Sequence, residues 1–292
     1  MPGPFLNSHN NLMESLQNDD VGYQKVASIL LRLTGINMPV NDKNKALMAA
    51  RLVSVLSARN LGTYSQYAKV LEREEPDDLR EFTENLTTNK TEFFRESRHF
   101  EIMTQELPRI LSENAASGRR ELRVWCAAAS TGQEPYTIAM TLLESVPDIA
   151  QWSLKFLATD IDTQVLKKAA SGIYKGRELD GLSPKQLETY FQHANDGSAS
   201  RRANIKLRGM ISFAQFNLMT DPFPFEHRFD IVFCRNVLIY FDRDTSSSVI
   251  KRLAGAIRPG GILFLGHTET GIPKPDYLGQ IAVAAYKCNR SF

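Results

Sequence analysis

The sequence predicts an α/β protein in which a small all-helical region precedes a parallel, doubly wound sheet. Two observations support this fold class. Before residue 120, apolar residues recur at helical spacing and no segment alternates as a strand would. After residue 119, short apolar runs typical of strands alternate with helical segments, which is the pattern of a parallel sheet with crossover helices.

The helical region is expected to cover residues 21–88. Residues 21–35 and 44–59 have helical periodicity, and the segment LGTYSQYAKVLE continues it. The next segment, REEPDDLREFTENL, is either a charged helix or a linker. Residues 1–20 are polar and lack the basic and apolar regions of a signal peptide, so we expect a mobile tail there.

The α/β region is expected to cover residues 89–292. Its strand candidates are ELRVWCAAAS, SLKFLATDID, ISFAQFNL, FDIVFCRNVLIYF and GGILFLGHTE. Residues 176–211 interrupt the alternation and predict an inserted β-subdomain with a helix and a small hairpin, whose tip is the turn NDGS. Ligands bind at the carboxyl ends of strands in such sheets, which points to Ala127–Thr131, Asp160, Asn217 and Asn236.

Composition argues against several classes of protein. The 292 residues include 35 basic and 33 acidic side chains, and a net charge of +2 gives no overall field for binding nucleic acid. No apolar run reaches the roughly 18 residues that span a bilayer, so we expect no membrane insertion. Cys126, Cys234 and Cys288 lie far apart, which argues against a disulfide framework or a structural zinc site and favours a reducing cytoplasm.

The segment WCAAASTGQEPY predicts a strand that ends in small residues and leads through a glycine into a helix. Small side chains let a ligand approach the backbone, while the glycine-rich and lysine patterns of phosphate-binding loops are absent, so a nucleoside without phosphates is favoured. Glu134 at the helix start suits a cationic ligand, such as the amino group of S-adenosylmethionine. A favourable interaction with the helix dipole explains Glu134 equally well.

Asp160 ends the second strand, where an acid can accept hydrogen bonds from ribose hydroxyls. Asp160 or Asp162 could instead cap the helix that follows. We assign ribose binding to Asp160 and capping to Asp162.

Two further segments hold polar residues of interest. In LTTNKTEFFRES, Asn89, Thr91 and Arg95 surround two phenylalanines, and a helix capped by Thr91 would explain this pattern without any ligand. In FDIVFCRNVLIYF, a buried strand ends before Arg235 and Asn236, whose amide can both donate and accept, and Tyr240 follows. An ordinary strand-to-loop transition with Tyr240 in the core is the alternative.

Together these segments resemble the chemotaxis receptor glutamate O-methyltransferase family, the CheR type. The matching segments are NKTEFFRE, RVWCAAASTGQEPYTIAM, LATDID, FNL and FDIVFCRNVLIYF, in that order. The resemblance implies a Rossmann-like S-adenosylmethionine-dependent methyltransferase domain with an inserted β-subdomain, after a small helical domain. It implies that the cofactor contacts Asn89, Thr91, Arg95, Glu134, Asp160, Asn217, Leu218, Asn236 and Val237. It also places Arg95 and Tyr240, as catalytic residues, close to the transferred methyl group.

The implied reaction is methylation of glutamate side chains on the cytoplasmic part of transmembrane chemoreceptors, with S-adenosylhomocysteine as product. No metal is expected, and His99, His227 and His267 are interpreted as structural or surface groups. The family often carries an arginine-rich docking helix, whereas AARLVSVLSAR contains only Arg51 and Arg59. The alternatives are a cofactor-binding signalling adaptor without turnover, or a carboxyl methyltransferase acting on another substrate. The sequence does not determine the oligomeric state, and we expect a monomer.

Overall fold

The computed structural model describes residues 4–194 and 198–290. The chain divides into two compact units. The first extends to Thr88 and also takes in Tyr240–Asp242, and the second comprises Asn89–Ile239 and the chain from Arg243 onward. Among the described residues, every helix is too short or too polar to span a bilayer.

The first unit is built from α-helices around one hydrophobic core. Polar side chains accept hydrogen bonds from backbone N–H groups at the starts of three helices: Asp19 before α2, Asn41 before α3 and Thr63 before α4. Buried Tyr23 and Tyr64 meet edge to face in the core. The helices are α1 (Pro4–Gln17), α2 (Asp20–Thr34), α3 (Asp42–Ala58), α4 (Tyr64–Leu71) and α5 (Pro76–Leu86).

Two segments of this unit bear on the sequence predictions. Pro4–Gln17, which the sequence analysis placed in a polar tail, form helix α1. Leu16 is fully buried in the core and Leu12 and Met13 pack against it, so apolar burial orders a segment whose composition is polar. The segment that could be a helix or a linker forms α5, whose Phe82 is buried.

The second unit contains a seven-stranded sheet. The five strands expected from the sequence form its parallel part, in the spatial order β6, β2, β1, β7, β8. Strand β7 is buried along its whole length, as a central parallel strand requires. The strands are β1 (Glu121–Cys126), β2 (Ser153–Asp160), β6 (Ile211–Gln215), β7 (Phe229–Cys234) and β8 (Ile257–Leu265). The helices between and before them include α6 (Arg98–Ala116), α7 (Gln133–Ser145), α8 (Thr163–Ser171) and α11 (Arg243–Ala256).

The sheet is mixed, whereas the sequence predicted a parallel sheet. Strands β9 (Leu278–Ala282) and β10 (Ala285–Cys288) form a hairpin, and β10 pairs antiparallel with β8. Both strands are short, and β9 is only partly buried, so neither has the long apolar run that identified the parallel strands. The hairpin turn lies at the carboxyl end of β8, because Leu265 N donates to Ala284 O.

The insertion contains a small antiparallel sheet in the order β3, β5, β4. Its first strand precedes the expected start at residue 176. The tip of the hairpin between β4 and β5, predicted as the turn NDGS, lies mostly outside the described residues. The elements are β3 (Ile173–Tyr174), α9 (Pro184–Tyr190), β4 (Phe191–His193), β5 (Arg201–Ala203) and α10 (Ile205–Gly209).

Candidate active site

The turn after β1 is held against the end of β2. Asp160 is nearly buried, and its Oδ2 accepts a hydrogen bond of 2.8 Å from Ser130 N, while Oδ1 accepts one of 3.1 Å from Asp162 N. Ser130 has a φ of 47°, in the left-handed region. Burial raises the pKa of Asp160 to about 6, against the hydrogen bonds that favour the ionised form. Asp160 therefore orders this turn while its carboxylate remains at the carboxyl end of the sheet.

Gly132 lets this turn enter α7. Its φ is 99°, and a Cβ there would lie 2.7 Å from Tyr174 Oη and 2.9 Å from Ala169 Cβ. Tyr174 Oη donates a hydrogen bond of 2.7 Å to Thr131 O, and this bond holds the turn in place. The glycine is therefore required for both backbone conformation and close packing.

Asp162 caps α8, as predicted, by accepting from Gln164 N and Val165 N. Its second oxygen accepts from Asn89 Nδ2 at 2.8 Å, and Asn89 O accepts from Ser130 Oγ at 3.0 Å. These bonds bring the segment that begins at Asn89 to the ends of β1 and β2.

Arg235 connects two carboxylates at the end of β7. Its side chain is fully buried, Nη1 donates to Glu134 Oε2 at 2.7 Å, and Nη2 lies 3.1 Å from Glu96 Oε2. Nη2 also donates to Arg95 O at 2.5 Å. The guanidinium thus compensates only one of the two carboxylate charges that it contacts.

The pKa values of the two carboxyl groups respond differently to this arrangement. Burial raises the pKa of Glu134, and the charge of Arg235 only partly opposes this. Burial also acts on Glu96, but Arg235 and hydrogen bonds from neighbouring groups hold the pKa of Glu96 below its usual value. Glu134 also accepts from Cys126 Sγ at 3.3 Å. Glu134 therefore belongs to a buried charge network and does more than complement a helix dipole.

The loop after β7 is held by a buried glutamate. Glu269 Oε2 accepts from Asn236 N at 3.1 Å and from Gly266 N at 2.5 Å, and Oε1 accepts from Leu238 N at 2.8 Å. Burial raises the pKa of Glu269, while these amides favour its ionised form. Asn236 has a φ of 58° and its Nδ2 donates to Glu96 Oε1 at 3.2 Å.

Arg95 lies in a turn and not in a helix. Residues 93–97 form turns, and α6 begins at Arg98, so Thr91 is not a helix cap. Phe94 and Glu96 have φ values of 54° and 53°, a conformation that bulky residues rarely adopt. The Arg95 Nη1 donates to Lys90 O at 3.2 Å. The sequence reading that needed no ligand is therefore wrong about the local structure of this segment.

The other predicted site residues follow strands β6 and β7. Asn217 and Leu218 follow β6, where Asn217 Oδ1 accepts from Met219 N at 2.9 Å and Leu218 is buried. Val237 is half-buried in the loop after β7. Tyr240 belongs to the first unit, where its carbonyl oxygen accepts from Asn37 N at 2.8 Å.

Sequence reasoning did not assign roles to three residues of this site, Glu96, Arg235 and Glu269. Arg235 was noted only as polar. Glu269 follows β8, so the rule that favours the carboxyl ends of strands could have identified it. Glu96 has no such signal, because its position depends on the turn at residues 93–97.

Comparison with known proteins finds family matches over most of the chain. Residues 89–286 match the model of the CheR methyltransferase SAM binding domain, and residues 22–87 match that of the CheR methyltransferase all-alpha domain. The chain belongs to the CheR methyltransferase family. CheR relatives named chemotaxis protein methyltransferase come from several bacteria.

Three of these relatives resemble the chain over most of its length. The protein of Escherichia coli (strain K12) is 36% identical over 260 residues, which cover 88% of this chain and 87% of the relative. That of Salmonella typhimurium (strain LT2) is 37% identical, covering 88% and 86%. That of Borreliella burgdorferi is 34% identical over 282 residues, covering 96% and 97%.

The chain is accordingly an S-adenosylmethionine-dependent methyltransferase, and the site has the chemistry that this cofactor needs. The cofactor presents ribose hydroxyls, an ammonium group and a sulfonium group. Asp160 offers a hydrogen-bond acceptor at the end of β2, and Glu134 and Glu96 offer negative charge that Arg235 does not fully compensate. The residues present therefore fit the cofactor.

Proposed function

We propose that this CheR methyltransferase transfers a methyl group from S-adenosylmethionine to glutamate side chains on the cytoplasmic part of chemoreceptors. A glutamate oxygen forms a bond to the methyl carbon, the bond from that carbon to sulfur breaks, and the products are a glutamate methyl ester and S-adenosylhomocysteine. The observation that carries the proposal is similarity to chemotaxis protein methyltransferases across both domains.

We assign the cofactor contacts by residue type. Asp160 accepts from the ribose hydroxyls, and Glu134 pairs with the amino group. Asn236 and Asn89 provide amide contacts, each oriented by a carboxylate, Glu96 in one case and Asp162 in the other. The cofactor contacts assigned from the family resemblance alone are Thr91, Arg95, Asn217, Leu218 and Val237.

No general base is required for this reaction. A glutamate with a pKa near 4.3 is already ionised at neutral pH. Attack brings an anion to a cation and both charges diminish in the transition state, so tight pairing of the carboxylate with an arginine would slow the reaction. Arg95 therefore orients the substrate carboxylate, Tyr240 shields the reacting atoms from water, and catalysis rests on proximity and desolvation.

Neither alternative of the sequence analysis is favoured. An adaptor without turnover would not need the full set of matching cofactor and methyl-site residues. A carboxyl methyltransferase for another substrate would not require the helical domain, which matches its own CheR family model.

The test is a transfer assay with radiolabelled S-adenosylmethionine and membranes that contain chemoreceptors from the same cell. Base-labile label on a receptor band is expected from the wild-type protein. The Arg95→Ala variant should lose about 100-fold or more of the rate while its thermal unfolding stays close to wild type.

The matched control is Arg98→Ala, since Arg98 is an exposed arginine in the same segment that pairs with Glu101. This variant should label receptors normally. Absence of label from the wild type, with calorimetry still detecting cofactor binding, would contradict the proposed substrate. Full turnover by Arg95→Ala would remove Arg95 from the mechanism.

A further inference from the structure

Three potential metal ligands converge beside the active site. Glu96 precedes α6, His99 lies in its first turn, and His267 follows β8. The Nδ1 of His99 is 3.5 Å from Glu96 Oε2, and the Nε2 of His267 is 3.9 Å from the same oxygen. One ligand atom from each residue lies within 4.8 Å of the other two.

The ring of His99 is oriented so that a lone pair faces this cluster. Its Nε2 lies 3.2 Å from the carbonyl oxygen of Val283, which can only accept, so Nε2 carries the hydrogen. In the neutral ring Nδ1 then carries a lone pair. The side chain of His99 is fully buried, and Nδ1 forms no hydrogen bond with the part of the chain that the structure describes. An unsatisfied acceptor therefore lies beside the carboxylate of Glu96 and the imidazole of His267, an arrangement that a cation would stabilise.

The two carboxylate oxygens of Glu96 have different neighbours. Oε1 accepts from Asn236 Nδ2 at 3.2 Å and from His267 N at 3.4 Å, while Oε2 faces both imidazoles. Zinc bonds of about 2.0–2.1 Å in a tetrahedral site place ligand atoms roughly 3.3–3.4 Å apart. The two distances to Oε2 lie close to this spacing, and small side-chain movements would complete it.

We propose that Glu96, His99 and His267 form a three-ligand site for a divalent cation of the zinc type. Two imidazoles and one carboxylate are typical of zinc, with the fourth position left for water. The hydrogen bond from His99 to a backbone carbonyl, and those to Glu96 Oε1, are the outer contacts that orient metal ligands. His267, which is 43% exposed, provides access from solvent.

The positive charge of Arg235 opposes a cation at Glu96 Oε2, from which its Nη2 is 3.1 Å away. Arg235 keeps a second carboxylate partner, Glu134, at 2.7 Å, so its charge remains compensated when Glu96 turns toward a metal. The site therefore binds the ion without leaving the buried guanidinium unpaired.

The experiment is calorimetric titration of ZnCl2 into the full-length, tag-free protein after chelator treatment and chelator removal. The three cysteines are buried, so they do not compete for the metal. The variants are His267→Ala, which removes an exposed ligand, and His227→Ala, which removes an exposed histidine outside the cluster. Co²⁺ is titrated in parallel, because its visible absorption distinguishes four-coordinate from six-coordinate sites.

We expect one Zn²⁺ per chain in the wild type and in His227→Ala, with affinity reduced about tenfold or more in His267→Ala. We also expect a four-coordinate Co²⁺ spectrum and no comparable binding of Mg²⁺, which prefers oxygen ligands in octahedral geometry. Equal zinc affinity in wild type and His267→Ala, or no stoichiometric binding by the wild type, would overturn the proposal. These outcomes do not depend on methyl transfer, so they are independent of the proposed substrate.

Discussion

Each of the two units contains an arginine held by several acceptors, and the acceptors differ. In the helical unit Arg51 donates to the carbonyl oxygens of Leu86 and Thr87 at 2.6 and 2.7 Å. These are neutral groups at the end of α5. In the methyltransferase unit the buried Arg235 contacts the carboxylates of Glu134 and Glu96. Arg51 therefore caps the end of α5, whereas Arg235 sets the charge of the proposed cofactor site.

Arg59, the residue directly after α3, is also engaged within the helical unit. Arg59 pairs with Asp78 at 2.7 Å and with Glu81 at 2.5 Å. Arg51 and Arg59, the two arginines of the segment AARLVSVLSAR, thus both have structural partners within the helical unit. Charge in the helical unit stabilises the fold, while charge in the methyltransferase unit converges on the proposed cofactor site.

The strongest test of this contrast is Arg235→Leu. Removing one member of a buried ionic network leaves the carboxylates of Glu134 and Glu96 without compensation, which costs about 3–5 kcal/mol of unfolding free energy. Although the site becomes more negative, Glu134 and Glu96 lose the guanidinium that positions them, so we also expect the affinity for S-adenosylmethionine to fall by about 100-fold, or roughly 2.8 kcal/mol. Urea unfolding and calorimetry with the cofactor measure the two effects.

Arg235→Lys is the matched variant. A lysine keeps the charge but does not reproduce the fork that reaches two carboxylates, so we expect intermediate losses of stability and affinity. If Arg235→Leu bound the cofactor like wild type, Arg235 would have a structural role only, similar to that of Arg51.

The substitution Glu269→Gln, which alters the loop after β7, should have a smaller effect on stability and cofactor affinity. The glutamine keeps the shape, but its amide NH₂ would face a backbone N–H group that now donates to the carboxylate. The loss of charge-assisted hydrogen bonds to Asn236 and Leu238 should cost about 1.5–3 kcal/mol of stability. Cofactor affinity should fall about tenfold because Asn236 is displaced. The exposed Glu101→Gln is the control, and equal affinity in both variants would contradict this role.

Asp160 predicts how cofactor affinity depends on pH. Its pKa of about 6 means that the carboxylate becomes protonated just below neutrality and then accepts ribose hydrogen bonds less well. Affinity for S-adenosylmethionine should therefore decrease as the pH falls below 6, by at most about tenfold per pH unit for this one group. Calorimetry between pH 5 and about 7.5 measures the profile.

The stability of the cofactor-free protein should respond to Asp160 in the opposite sense. A pKa raised from 3.8 to about 6 means that the ionised carboxylate destabilises the fold at neutral pH. This cost is lost as the pH falls from about 6 to below 4. In Asp160→Asn, the pH dependence of cofactor affinity and that of stability should both disappear. Any pH dependence that remains would then belong to another group, such as Glu134. If wild type and Asp160→Asn shared one affinity profile, another group would be responsible.

The parallel part of the sheet could be predicted from sequence because each strand is a nearly continuous apolar run. The hairpin of β9 and β10 and the helix α1 could not. β9 alternates only weakly, and α1 is held by a few apolar residues such as Leu16 that pack on a core formed by distant segments. Periodicity detects elements that are apolar by themselves and misses those that tertiary contacts stabilise.

The candidate site likewise contains residues that the sequence could place and residues that it could not. Asp160 and Asn236 could be placed at the carboxyl edge of the sheet because Asp160 ends a buried strand and Asn236 closely follows one, and ligands bind at this edge in such folds. Glu96 and His99 could not, since their positions depend on turns with left-handed φ values at Phe94 and Glu96. The joining of Arg235 to Glu134 and Glu96 depends on tertiary folding, which no local spacing reveals.

The smallest effect on the cofactor site is expected from Arg51→Ala. Losing the bonds to the end of α5 should lower the unfolding free energy by about 1.5–3 kcal/mol, because charged donors to buried or half-buried acceptors contribute about this much. Cofactor affinity should change by less than about twofold, since Arg51 is not among the proposed cofactor contacts. Chemical unfolding and calorimetry on one preparation measure both quantities. A large loss of cofactor affinity with unchanged stability would contradict the contrast between Arg51 and Arg235, because Arg51 would then have a role in cofactor binding.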